Sequence, residues 1–195
     1  MAAVNASAEV VQALLDEVDG YAVCANKNCT AQTVFGGESE VVKQACEVLR
    51  ERGYDVRLLP VSHAFHTRIV APASEPLRAH LATIDISAPS CDILSNVHAD
   101  FYPTDPDAIR ALLAEQVASP VEYIAQIERM YAEGVRTFVE VGPKRAQTGF
   151  VGNILDGRQH DAILTNHPKM GAMTALRSAI GRLLVAGFAP TRPPS

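Results

Sequence analysis

The first 60 residues alternate short strand-like runs with two helix-period segments, and that order constrains the fold more than any other feature of the chain. Residues 2–5 (Ala-Ala-Val-Asn) read as a strand. Ser7 opens a helix that places Val10, Val11, Leu14, Leu15 and Val18 on one face, and Gly20 closes it. Tyr21-Ala22-Val23-Cys24-Ala25 predicts a second strand, Asn26-Lys27-Asn28-Cys29-Thr30 a polar turn, and Gln32-Thr33-Val34-Phe35 a third strand closed by Gly36-Gly37. A helix over 38–52 follows, with Val41, Val42, Ala45, Val48 and Leu49 at core spacing and Gly53 as its stop. Residues 54–59 supply the last strand. The order β-α-β-β-α-β predicts a ferredoxin-like unit.

Beyond residue 60 the pattern changes. Residues 69–83 have helical spacing but carry Pro72 and Pro76, which predicts an irregular start. Cys91-Asp92-Ile93-Leu94-Ser95 reads as a short strand running into Asn96-Val97-His98. Pro103 and Pro106 flank a turn into a helix over 107–117. Ser119-Pro120 predicts the start of another helix, with Val121, Ile124, Ile127 and Met130 along one side and Gly134 at its end. The apolar strand Arg136-Thr137-Phe138-Val139-Glu140-Val141, the turn at Gly142-Pro143 and a helix over 145–155 predict a parallel α/β sheet buried on both faces. Residues 162–164 add a short strand and 172–186 a final helix. Pro190 to Pro194 reads as a linker. No internal repeat is present.

With 48% hydrophobic and 20% charged residues in 195, the chain has the composition of a packed core. A net charge of −5 argues against nucleic acid or an anionic membrane as the main partner. No apolar run approaches the roughly 20 residues of a membrane span, and the N-terminus does not read as a secretory signal. Cys24, Cys29, Cys46 and Cys91 form no C-x-x-C pair. Cys24 in an apolar strand and Cys46 on a helix face predict reduced, buried thiols in a cytoplasmic protein, and Cys29 is the one expected in a polar loop. A zinc site from His63, His66, Cys91 and His98 has no diagnostic spacing behind it, so no metal is expected.

The chemistry-bearing stretch is Val61-Ser62-His63-Ala64-Phe65-His66-Thr67, at the end of the fourth strand. Two imidazoles at a strand end suit acid–base chemistry because histidine titrates near working pH. Isolated histidines in such places are, more often, ordinary surface or packing residues. Five separated motifs weigh against that reading. They are Asn26 to Gly37 (NKNCTAQTVFGG), Val61 to Thr67, Ser95-Asn96-Val97, Glu115 to Val121 (EQVASPV) and Phe138 to Gly149 (FVEVGPKRAQTG). In this order they resemble the N-x-N-S-P-x-Q-x-V-I-S-G, V-S-x-A-F-H-S, S-N-V, x-Q-L-x-S-P-V and F-x-E-V-G-P-G-x-x-L-T-G motifs of malonyl-CoA:acyl-carrier-protein acyltransferases of polyketide and fatty-acid synthases. The resemblance runs from residue 1 almost to the end.

That resemblance implies an acyl transfer in which an active-site serine, in G-H-S-x-G, attacks the acyl-CoA thioester. The acyl group then passes to the phosphopantetheine thiol of an acyl carrier protein, with no permanently bound cofactor. It maps the general base onto His66, and its orienting group onto the backbone carbonyl of Gln116. Asn28, His63, Phe65 and Asn96 fall at substrate-binding positions. His63-Ala64-Phe65-His66 resembles the malonyl-selective form of the loop, in which Phe65 leaves no room for an extra methyl, a preference worth only about 1–3 kcal/mol.

The chain also departs from the family pattern. No G-x-S-x-G occurs in it, and neither the arginine that pairs with the malonyl carboxylate nor the oxyanion-hole glutamine loop is identifiable. Lys144 stands where the family has glycine and Gln147 where leucine is usual. Cys29-Thr30 replaces Ser-Pro, and Thr67-Arg68-Ile69-Val70 replaces S-P-L-M. The resemblance therefore implies the C-terminal half of an acyltransferase domain. Residues 1–60 would be the ferredoxin-like small subdomain, 61–165 the end of the α/β-hydrolase-like subdomain and 166–195 a following linker. Its partners would be the N-terminal half, acyl-CoA and a carrier protein. Two other readings stand beside it: a non-catalytic truncated module that packs against synthase partners or a carrier protein, and a free-standing ferredoxin-like binding domain over 1–60.

Overall fold

The computed structural model describes residues 1–188. Its packing divides into two compact units, Met1–Arg129 and the remainder from Met130. The expected linker at Pro190 to Pro194 lies outside the described residues.

In the first unit the elements run β1 (Ala2–Val4), α1 (Ala8–Leu15), β2 (Ala22–Cys29), β3 (Gln32–Gly37), α2 (Ser39–Glu51) and β4 (Val56–Leu58). The four strands form one sheet in the order β2-β3-β1-β4, with every neighbouring pair antiparallel. This is the split arrangement expected of the βαββαβ order. Ser7 caps α1 by accepting from the Val10 amide. The two helices bury Val11, Leu14, Leu15, Val42, Cys46 and Leu49 with Ala2, Val4 and Phe35 of the sheet in one apolar core. Val10, expected on the inner face, is exposed, and α1 ends at Leu15, before Gly20.

The predicted turn over 26–30 is corrected. Those residues continue β2 to Cys29, and the chain reverses at Thr30-Ala31. Two register shifts, between Cys24 and Asn26 and between Lys27 and Cys29, let consecutive polar residues ride on this strand. Cys29 is consequently buried and not in an exposed loop, while Cys91 is the exposed cysteine. Cys24 is buried beside the Ala8 carbonyl, and burial pushes its thiol pKa up to about 11.

A 3-10 turn (Arg68–Ala73) leads into α3 (Ser74–Leu81), which is the irregular start that the prolines predicted. The expected strand over 91–95 reduces to one bridge, Leu94 to Phe101. Helix α4 (Pro106–Gln116) follows, capped by Asp105 on the Ala108 amide. Helix α5 (Tyr123–Ala132) starts later than Ser119-Pro120 predicted. The reason is backbone pairing: the Val121 amide donates to Ala25 and its carbonyl accepts from Lys27, so the chain there is extended against β2.

In the second unit β5 (Thr137–Pro143) pairs in parallel with β6 (Asp161–Asn166), with α6 (Ala146–Ile154) connecting them. Phe138, Val151, Ile154, Leu155 and Ile163 are buried. Helix α7 (Ala172–Val185) buries the small Ala175 and Ala179 and packs against β6. The expectation of a sheet covered on both faces is not met here, since Val139 and Val141 are exposed. Within the first unit β2 is bonded to Val121, and within the second α7 packs against β6. No helix among the described residues is long and apolar enough to cross a membrane.

Candidate active site

The loop after β4 is anchored at three places in the first unit. Ala64 and Thr67 lie against Gly36 of β3, where an added Cβ would come within 3.2 Å of the Thr67 methyl. Thr67, fully buried, donates its hydroxyl to the Ala64 carbonyl at 2.6 Å and accepts from the Ile69 amide at 3.3 Å. Arg68 donates its amide to the Tyr21 hydroxyl at 3.1 Å, and its guanidinium lies 3.8 Å over the Tyr21 ring. Between these anchors His66 is held at φ +60°, in the left-handed region that non-glycine residues seldom occupy. Strain of this kind persists only where the surroundings over-determine it.

The third anchor is the end of α4. The His66 amide donates to the Val117 carbonyl at 3.2 Å, and its Nδ1 stands 3.3 Å from the Gln116 carbonyl oxygen. A carbonyl only accepts, so this contact requires the proton on Nδ1 and leaves Nε2 as the basic nitrogen. The side chain of Gln116 accepts from the Tyr102 hydroxyl at 3.4 Å.

The segment that follows α4, extended at Val121, joins the rest of the site. Beyond its pairing with β2, Glu122 forms an ion pair with Lys27 at 2.6 Å, and its amide donates to the Asn96 carbonyl at 2.8 Å. Asn96 in turn accepts on Oδ1 from Nε2 of Gln126 at 3.0 Å. Gln126 is only 5% exposed, and sequence reasoning passed it over. Its signal was a polar side chain one position before Ile127, on the buried side of a helix.

The remaining candidates are placed separately. Asn28, half-buried on β2, donates to Gln32 across the hairpin at 3.1 Å. His63 is exposed, bonded to its neighbour Ser62 at 2.9 Å, and its ring centroid lies 6.2 Å from that of Phe65. Phe65 is itself 47% exposed. The structure therefore brings His66 to Gln116 and His63 to Phe65, and it ties Asn96 to Glu122 and Gln126, beyond the end of α4. Among the described residues no group of three or more His, Cys, Asp or Glu side chains gathers as metal ligands do.

No protein-family model matches the chain. It is 37% identical over 148 residues to the malonyl CoA-acyl carrier protein transacylase of Bacillus subtilis (strain 168), which covers 74% of this chain and 46% of that protein. The crystal structure of the malonyl CoA-acyl carrier protein transacylase from Clostridium perfringens superposes with a TM-score of 0.84 at 32% identity, over 95% of this chain and 57% of that one. A malonyl-transacylase solved in complex with its type II polyketide synthase acyl-carrier protein gives a TM-score of 0.79 at 26% identity, over 91% and 58% of the two chains. The chain spans about half the length of these relatives and matches their C-terminal part.

Proposed function

Because this chain belongs to the malonyl-CoA:acyl-carrier-protein acyltransferase family, whose members include transacylases and parts of polyketide and polyunsaturated fatty-acid synthases, we propose that it is the C-terminal part of an acyltransferase domain, with His66 as general base. The observation that carries the proposal is the pair of bonds from His66 to the end of α4, at Nδ1 and at the backbone amide. They fix the ring and leave Nε2 to accept a proton.

In the proposed reaction a serine hydroxyl of the N-terminal half gives its proton to Nε2 and attacks the malonyl thioester. The tetrahedral adduct collapses to acyl-serine, and CoA leaves as the thiol, taking the proton back from His66. The phosphopantetheine thiol of a carrier protein then repeats the sequence in reverse, with His66 again taking and returning one proton. Gln116 serves through its carbonyl. Asn28 and Asn96 would line the acyl path, and His63 with Phe65 would restrict it to malonyl. Residues 1–60 are the small subdomain in this proposal, 61–165 the end of the hydrolase-like one, and 166–195 lead out of the domain. The setting is cytoplasmic, and no resident cofactor takes part.

The second reading, a non-catalytic module that packs on synthase partners, is favoured by one observation. No G-x-S-x-G occurs in the 195 residues, so the isolated chain should form no acyl-enzyme. Intact-mass analysis after mixing with malonyl-CoA, alone and with a separately produced N-terminal half, separates the two readings. An acyl adduct on the added half only, lost with His66→Ala, supports the catalytic reading. No adduct in the mixture, with both halves folded and associated, supports the module.

A further inference from the structure

In the second unit a cleft of about 380 Å³ opens at the carboxyl ends of β5 and β6, lined by Arg145, Leu164, His167, Lys169 and Met170. Open parallel sheets place ligands outside the carboxyl ends of their strands, where the connections diverge. At this edge the β5–β6 register shifts between Glu140 and Pro143. The lining is cationic although the whole chain carries −5. Arg145 and Lys169 are exposed and form no ion pair among the described residues. Lys144, immediately before Arg145, sits at φ +73°.

One carboxylate, that of Glu140, lies at this edge and is already engaged. It accepts from the Gln147 amide at 3.3 Å and from the Thr148 amide and hydroxyl at 2.8 and 2.6 Å. Two amides of the first turn of α6 are thus already taken, which leaves the side chains of the lining as the cationic groups for an anion in the cleft. A guanidinium and an ammonium suit a phosphate oxyanion, and the imidazole adds a further donor. Leu164 and Met170 give the same cleft an apolar wall, which suits a flat or hydrocarbon body attached to the phosphate.

From this juxtaposition we infer that the carboxyl-edge cleft is a binding subsite for a phosphate monoester on a nucleotide-sized ligand, held by Arg145 and Lys169. CoA, with its nucleotide 3′-phosphate, is one source of that group and free phosphate is another. The subsite stands or falls independently of the acyl-transfer proposal, because binding alone tests it.

The test is calorimetric titration of the 195-residue chain with adenosine 3′,5′-bisphosphate, inorganic phosphate, CoA and 3′-dephospho-CoA, repeated with Arg145→Ala, Lys169→Ala and the double variant. Both residues are exposed, and unchanged thermal melts would show that the variants fold. Expected is binding of the bisphosphate and CoA that weakens by roughly tenfold per removed cation and falls with added salt, with dephospho-CoA weaker than CoA. Inorganic phosphate binding as tightly as the bisphosphate would retain the phosphate site and make free phosphate its source. Equal binding of CoA and dephospho-CoA, unchanged in the double variant, would overturn the inference. So would no binding of any of the four ligands by the parent chain.

Discussion

At His66 two roles are superposed, a left-handed backbone and a basic nitrogen, and substitutions can separate them. Asparagine tolerates φ near +60° far better than a β-branched residue does. His66→Asn is therefore expected to keep the parent's thermal melt, whereas His66→Val destabilises by about 1–3 kcal/mol. In the reconstituted enzyme both should lower transfer by about 10²–10⁴-fold, the usual contribution of a general base. Full activity of His66→Asn with a parent-like melt would remove His66 from the mechanism. Cys24 supports a second prediction, about pH. Its folded pKa of about 11 lies above the ordinary thiol value of 9.0, because burial disfavours the thiolate. The folded state then holds the proton more tightly than the unfolded chain does. The associated stability is complete below pH 9 and is lost as pH rises toward 11. Burial raises Cys46 in the same direction. Urea midpoints between pH 8 and 11 should fall for the parent, and less steeply for Cys24→Ala. An identical slope in that variant would locate the alkaline loss elsewhere.

Among the elements, α6 depends on one side chain outside it. Glu140 on β5 accepts from two first-turn amides and the Thr148 hydroxyl, and so binds strand to helix across the Lys144-Arg145 connection. Glu140→Ala should cost about 0.5–2 kcal/mol, the range for a lost N-terminal cap, and Glu140→Gln less, since one acceptor oxygen remains. The measurement is the urea midpoint at unchanged m-value; a shift under a few tenths of a kcal/mol would show that water replaces the carboxylate without penalty. This capping was not legible in the sequence, where Glu140 reads only as one polar residue in an apolar strand. What was legible shares a cause: α1, α2, α4, α6 and α7 carry strong local signals, Ser7 or Asp105 before the first turn or apolar residues at helical spacing. The failures have two. Residues 26–29 are polar in succession, and only the paired bulges against β3 make them a strand. Pro120 is suited to a helix start, yet the bonds of Val121 to Ala25 and Lys27 hold it extended and delay α5 to Tyr123. The second depends on a partner distant in sequence, and the first on backbone bulges within a hairpin, which the side-chain pattern does not record. The site divided in the same way: motif resemblance singled out His66 and Gln116, whereas Gln126, which holds Asn96, belongs to none of the motifs.

Among the described residues several large apolar side chains stand exposed on one strand and one helix of the second unit. Val141 on β5 is 87% exposed and Val139 is exposed beside it. On α7, Met173, Leu176, Ile180 and Leu184 recur at helical spacing and are all exposed, while Ala175 and Ala179 are buried. β5 pairs with β6 along one edge, and the described residues supply no strand for its other edge. An open strand edge beside exposed apolar side chains favours association. The isolated chain is therefore expected to self-associate at micromolar concentration, with a low or broad thermal transition. Sedimentation velocity across a concentration series reads the first property and calorimetry the second. Val141→Lys places a charge on the exposed strand and should shift the distribution toward monomer without lowering the melt, because that side chain has almost no packing to lose. If the N-terminal half of a family member covers this surface, adding it should suppress self-association and sharpen the transition together. A monodisperse monomer melting cooperatively above about 65 °C, past the usual range for mesophilic domains, would show instead that the exposed strand and helix are stable as they stand.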